Sequence, residues 1–160
     1  MIIWIPKLDV GGNDLGILEG FIGRAHVANI TIEGDDWMCH LFAIRAYFFD
    51  NDLDTLKWEA ERLYEAHERD KKMVTAIDLI RELASKTGGI RWYSAFDLSG
   101  KFHIKNKGDI GKLLKHYEQM DRVDRIGDGS TARYQITPIG RKWLVDQEKK
   151  IEEAEARWWH

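Results

Sequence analysis

A chain of 160 residues, 44% of them hydrophobic, can bury a core as one domain or two small ones. The single cysteine, Cys39, excludes an internal disulfide and a thiolate-rich zinc site, and no apolar run approaches the length of a membrane span. The formal net charge of -3 hides a division: Met1 to Asp70 holds 6 Lys+Arg against 14 Asp+Glu (-8), the stretch from Lys71 to Lys150 holds 17 against 10 (+7), and the remainder 1 against 3 (-2).

Met1 to Ile5 is apolar, and Pro6 with Gly11-Gly12-Asn13-Asp14 predicts a loop. The opening MIIWIPKLDVGG lacks the basic start and long apolar centre of a secretory leader, so a reducing, cytoplasmic setting is expected. His26 to Glu33 alternates, with Ala28, Ile30 and Ile32 on one face of a strand, and Gly34-Asp35-Asp36 marks a turn. Trp37 to Phe49 is apolar throughout and fits either a buried strand or a helix. Cys39-His40 reads as a buried strand pair rather than a catalytic dyad.

Asp50-Asn51-Asp52-Leu53-Asp54, with Glu61 at the twelfth position, matches the carboxylate spacing of a calcium loop. Thr55 stands where the sharp turn needs glycine, and Lys57 stands at a normally apolar position. These acids are therefore read as caps for a helix, and no metal or cofactor is expected. From Thr55 to Lys86 there is no Gly or Pro. Leu56, Ala60, Leu63, Tyr64 and His67 form one apolar stripe, opposite Glu59, Glu61, Glu65 and Glu68. Pairs such as Glu65-Arg69 and Glu68-Lys72 would suit a solvated face. Met73, Ala76, Ile77, Ile80, Leu83 and Ala84 form a second stripe, ended by Gly88-Gly89, with His67 to Lys72 separating the two helices. Ile90 to Tyr93 can be a short strand. Ser94 with Asp97 resembles a capping box for a brief helix that Gly100 would break.

Asn106 to Leu144 reads as helix, strand, tight loop, strand and helix start. Asn106 can cap the helix, with Asp109 in its first turn. Ile110, Leu113, Leu114, Tyr117 and Met120 form its apolar stripe, opposite Lys112, Lys115, His116 and Gln119. Arg122 to Ile126 and Ala132 to Ile136 predict two strands around Gly127-Asp128-Gly129-Ser130, and Thr137-Pro138 starts the last helix. In that helix Leu144, Ile151 and Trp158 lie seven apart, with Gln147 and Ala154 between them. The helix could pair with a second copy or pack on the chain's own N-terminal part.

The run from Tyr134 to Leu144, YQITPIGRKWL, preceded by its glycine-rich hairpin, resembles the wing and following helix of winged helix-turn-helix regulators of the broad MarR and PadR type. The resemblance spans Met73 to about Glu155. It implies an α+β protein with a C-terminal winged helix-turn-helix domain, a smaller β-containing N-terminal module and a C-terminal helix. The expected divisions are 1-70 (acidic α/β module), 71-137 (winged helix) and 138-160 (candidate dimerisation helix). The stretch Gly100 to Lys105 is longer than the usual turn between the two helices of such a motif.

The resemblance makes the helix over 106-121 the recognition helix and 122-136 the wing, with Gly127 to Thr131 its tip. Lys105, Lys107, Lys112, Lys115 and His116, with Arg125 and Arg133 on the wing, become candidates for contact with duplex DNA, since phosphate neutralisation supplies most of the affinity. The helix is poor in base-reading groups. A different class of reading uses Glu59, Glu61, Glu65 and Glu68 as a protein contact or DNA-mimicking surface, suited to a phage or mobile-element protein that captures a host protein. The six histidines form no paired metal spacing, and no nucleophile motif is present, so an enzyme is not expected. The leading expectation is a cytoplasmic, homodimeric transcription regulator that binds duplex DNA and does not enter the membrane.

Overall fold

The computed structural model describes residues 1–69, 74–85, 92–103 and 107–158, with backbone alone at 85, 107 and 158. The fold is α+β and divides into two compact units: Met1–Met73 with Lys149–His160, and Val74–Glu148.

The first unit is built on a five-stranded antiparallel sheet in which β1 (Ile3–Leu8), β2 (Asp14–Ile22), β3 (Ala25–Glu33), β4 (Asp36–Leu41) and β5 (Ala46–Asp50) follow one another in order. The ambiguous run from Trp37 to Phe49 is strand, one 3-10 turn at Phe42–Ile44, and strand, reversed by Arg45 at φ 51°. Strand β2 was not expected from a stretch holding Gly16 and Gly20. Its glycine has a packing reason: a Cβ at Gly20 would lie 2.8 Å from both Ile2 and Trp4, whose side chains cross it.

Helix α1 (Leu53–Glu68) starts where Asp52 accepts from the Thr55 amide at 2.8 Å. Leu56, Ala60 and Leu63 pack with Ile2, Ala28, Ile30, Cys39 and Leu41 into one core. His67, expected on this stripe, is exposed, beyond Leu63 and Tyr64, the last residues of α1 that pack into that core. On the other face of the sheet Met38 and Phe49 pack with Ala154 and Ile151 from the end of α5 (Pro138–Trp158). Arg157 to Glu33 and Lys150 to Asp36 are ion pairs that hold the same helix end.

The second unit comprises α2 (Ala76–Ser85), β6 (Tyr93–Ser94), α3 (Ala95–Lys101), α4 (Lys107–Gln119), β7 (Val123–Ile126), β8 (Arg133–Ile136) and the first part of α5. Its small sheet runs β6-β8-β7, all antiparallel. Thr75 and Asp78 bond each other's amides at 3.1 Å, a capping box that starts α2, and Ala76, Ile77, Leu79, Ile80 and Leu83 are buried along it. Met73, the Gly88-Gly89 stop, Ile90 and Lys72 lie outside the described residues. The expected box of Ser94 and Asp97 is formed, with both bonds at 3.1 Å.

Gly100 does not break α3, which continues to Lys101. A glycine in a helix costs only about 1 kcal/mol against alanine. The capping box and the buried Leu98 offset that cost. Arg122, expected in the strand, instead closes α4. Asp121 has φ 57°, its amide bonds the Glu118 carbonyl, and the Arg122 amide bonds the Tyr117 carbonyl at 3.0 Å. Among the described residues no helix is long and apolar enough to cross a membrane.

Candidate nucleic-acid interface

Helix α4 has two faces. Ile110, Leu113, Leu114 and Tyr117 are all at most 1% exposed, so one stripe is wholly committed to the core. The stripe opposite carries Lys112, Lys115 and Gln119, all exposed, with Asp109 in the first turn. His116, at the margin, is half-buried and packs edge-on against Tyr117, with centroids 5.5 Å apart. Lys105, the Asn106 cap and the side chain of Lys107 lie outside the described residues. Lys101, exposed in the last turn of α3, is a basic group that the sequence pattern missed because that helix was expected to stop at Gly100.

The hairpin of β7 and β8 sorts its two arginines by strand alternation. Arg125 is paired in register with the buried Tyr134, on the side that meets α4. Its Nε bonds both Glu118 oxygens at 3.0 and 3.1 Å, while its Nη1 reaches Asp128 at 2.7 Å and the Gly127 carbonyl at 2.6 Å. These partners hold the guanidinium still more firmly protonated. Arg133 lies opposite Ile126 on the outer side and is exposed. At the loop, Gly127 and Gly129 have φ of 78° and 57°, which glycine adopts without strain. Arg125 therefore fastens the loop to α4, and Arg133 is the hairpin cation open to a ligand.

The acidic candidates are also divided. Glu59 is 4% exposed and bonded by Arg62 at 2.7 Å, which corrects its expected place on the solvent face. The helix turns it toward the sheet, and the Arg62 charge makes its burial tolerable. Glu61 is half-buried and accepts from the Ile2 amide at 3.2 Å, while Glu65 and Glu68 are exposed. Asp50 accepts from the Asp52 amide at 3.0 Å and Asp52 caps α1, so these two acids of the calcium-like spacing are used in local turns. Among the described residues no three His, Cys, Asp or Glu side chains converge as metal ligands would.

Cys39 and His40 point to opposite faces of β4. Burial pushes the Cys39 thiol pKa well above its usual range, with Glu59 adding to the effect. Burial also lowers the His40 pKa below its usual value. The folded chain then resists a proton that the unfolded chain takes near pH 6.5. This contribution to stability is complete above that pH and declines as pH falls toward the lower folded value. Urea unfolding between about pH 7 and 5 should show that decline, and His40→Phe should flatten it.

Comparison with protein families, curated proteins and solved structures finds no match to this chain.

Proposed function

We propose that this chain binds duplex DNA through a winged helix-turn-helix, with α3 and α4 as the helical pair, α4 presented to the groove and the hairpin of β7 and β8 as the wing. The observation that carries the proposal is the two-faced α4. Its buried stripe fixes the helix rigidly, and the opposite stripe offers Lys112, Lys115 and Gln119 beside a hairpin bearing an open Arg133. Lysines placed this way neutralise phosphates, and few groups are suited to reading base edges, so binding of modest sequence selectivity is the reading supported. A role in transcription control follows as part of the same proposal.

The acidic alternative has less to support it. Of its four carboxylates only Glu65 and Glu68 are exposed, and Glu59 is neutralised by Arg62. A dimer paired along Leu144, Ile151 and Trp158 would have to displace Ile151 and Ala154 from Met38 and Phe49.

Fluorescence anisotropy with a labelled duplex tests the proposal. At about 50 mM salt, Lys112→Glu with Lys115→Glu should weaken binding about a hundredfold or more. Arg133→Glu should cost roughly tenfold, whereas Arg125→Gln, whose parent guanidinium already serves Glu118 and Asp128, should change affinity less than about threefold. Unchanged duplex affinity in the double lysine variant would sink the proposal.

A further inference from the structure

The N-terminal sheet carries a ladder of rings that the DNA-binding reading does not use. Phe21 stacks on His26 with centroids 5.0 Å apart and an interplanar angle of 22°. His26 meets Phe42 edge-on at 5.0 Å, and Phe42 meets His40 edge-on at 4.8 Å. His40 then stacks on Tyr47 at 4.3 Å and 17°. The rings come from β2, β3, β4, the turn after β4, and β5, so the ladder crosses the sheet rather than following one strand. Strand alternation sets His40 and Tyr47, which are register partners, on the face opposite Cys39 and Phe48, away from α1. His26 is exposed, Phe21, Phe42 and His40 are half-buried, and Tyr47 packs against the Met38 and Phe49 cluster that α5 covers, so the ladder is open to a ligand at its His26 end.

The charge around it is unlike the rest of its unit. Met1 to Asp70 holds 14 carboxylates, yet the segments 20–29 and 39–49 hold none, and the bordering Glu19, register partner of Asn29, is paired with Lys7 at 3.3 Å. Instead they place Arg24 in the turn between β2 and β3 and Arg45 in the turn before β5, both exposed. The sheet register brings these turns to the same end: Ile22 pairs with Ala25, Ala28 with Leu41, and Leu41 with Ala46. His26 is oriented by Asn29, whose side-chain oxygen lies 2.7 Å from its Nε2.

An exposed ring between two half-buried ones, cations at the rim and a neighbouring carboxylate already paired with Lys7 together form a surface complementary to a chain of flat bases joined by phosphates. A duplex hides its base faces, so such rings can serve only unpaired bases. Phe21, His26 and Phe42 follow one another at centroid steps of 5.0 Å, which is room for about two bases. We propose that this end of the N-terminal sheet binds single-stranded nucleic acid, with bases on the rings of Phe21, His26 and Phe42 and backbone phosphates at Arg24 and Arg45.

The test uses the full chain and two labelled oligonucleotides of about 20 residues, an oligodeoxyuridylate and an oligouridylate, which differ only in the sugar, at about 50 mM salt. Arg24→Glu with Arg45→Glu should lower single-strand affinity about thirtyfold or more, and His26→Ala should lower it roughly three- to tenfold. Both arginines are exposed, so an unchanged melting temperature should accompany the loss in the double arginine variant. Lys112→Glu with Lys115→Glu should leave single-strand affinity within about threefold, which separates this site from the duplex site. Binding of either oligonucleotide in this pattern supports the proposal, and the tighter of the two identifies the preferred sugar. Unchanged affinity in the arginine variant overturns it. So does a parent protein that retains neither oligonucleotide, which would leave this face to a protein partner.

Discussion

Gly140→Ala is expected to destabilise the second unit by about 3 kcal/mol or more, enough to lower its melting temperature by on the order of 15 °C. A Cβ built on Gly140 would lie 2.1 Å from the Arg122 carbonyl oxygen and 3.1 Å from Ile136. The first neighbour is backbone and is already engaged, because the Thr137 amide donates to that oxygen at 3.1 Å. Thr137 adds two more bonds at the same junction: its hydroxyl donates to the Asp121 carbonyl at 2.5 Å and accepts from the Gly140 amide at 2.9 Å. The start of α5 cannot retreat without breaking this knot. Gly111 supplies the contrast, since nothing lies within 4 Å of its added Cβ. Gly111→Ala should stabilise by about 0.5 to 1 kcal/mol through helix propensity. Thermal unfolding of the pair checks both signs at once. An alanine at 140 that melts with the parent would show that the two segments can separate freely.

The second large effect is expected at Arg122, which is only 3% exposed. Its guanidinium carbon sits 4.3 Å from the centroid of Trp143 and 5.5 Å from that of Tyr117. The plane of an arginine can lie against two rings while its stem fills apolar space, and both contributions vanish on truncation. Arg122→Ala should therefore cost about 2 to 4 kcal/mol in urea unfolding. Arg122→Lys should recover less than half of that, because an ammonium is compact and cannot stack as a plane. A lysine variant as stable as the parent would reduce the role of Arg122 to that of a buried charge.

These two sites also show what a sequence can and cannot disclose. In the second unit, apolar residues recur every three or four positions along α4 and every second position along β8, and burial follows both periods. The caps at Ser94 and Thr137 were readable because each capping interaction spans only three residues. Gly140 stood in the run that resembles a winged helix, but its reason, an oxygen 18 positions earlier in the chain, has no local signature. Arg122 was read as one more strand residue, since an arginine between rings looks in sequence like any other cation. In the first unit no element is expected between Asp14 and His26, where β2 lies, and the need for Gly20 comes from Ile2 and Trp4 at the start of the chain, which has no local signature. Glu59 was assigned to solvent because its charge suggests it, and only the fold shows Arg62 neutralising it against the sheet. Among the DNA candidates, Lys112 and Lys115 were separable from the core by period alone. The different positions of Arg125 and Arg133 depended on where Glu118 and Asp128 came to rest.

The last turns of α5 belong with the five-stranded sheet, although 75 residues of the second unit intervene between that helix end and the rest of the first unit. On a ribosome the sheet is therefore made long before the segment that covers Met38 and Phe49. The first unit therefore cannot be completed until the whole of the second unit has been synthesised. Until Ile151 and Ala154 emerge, the nascent sheet exposes an apolar face that a holding chaperone would recognise.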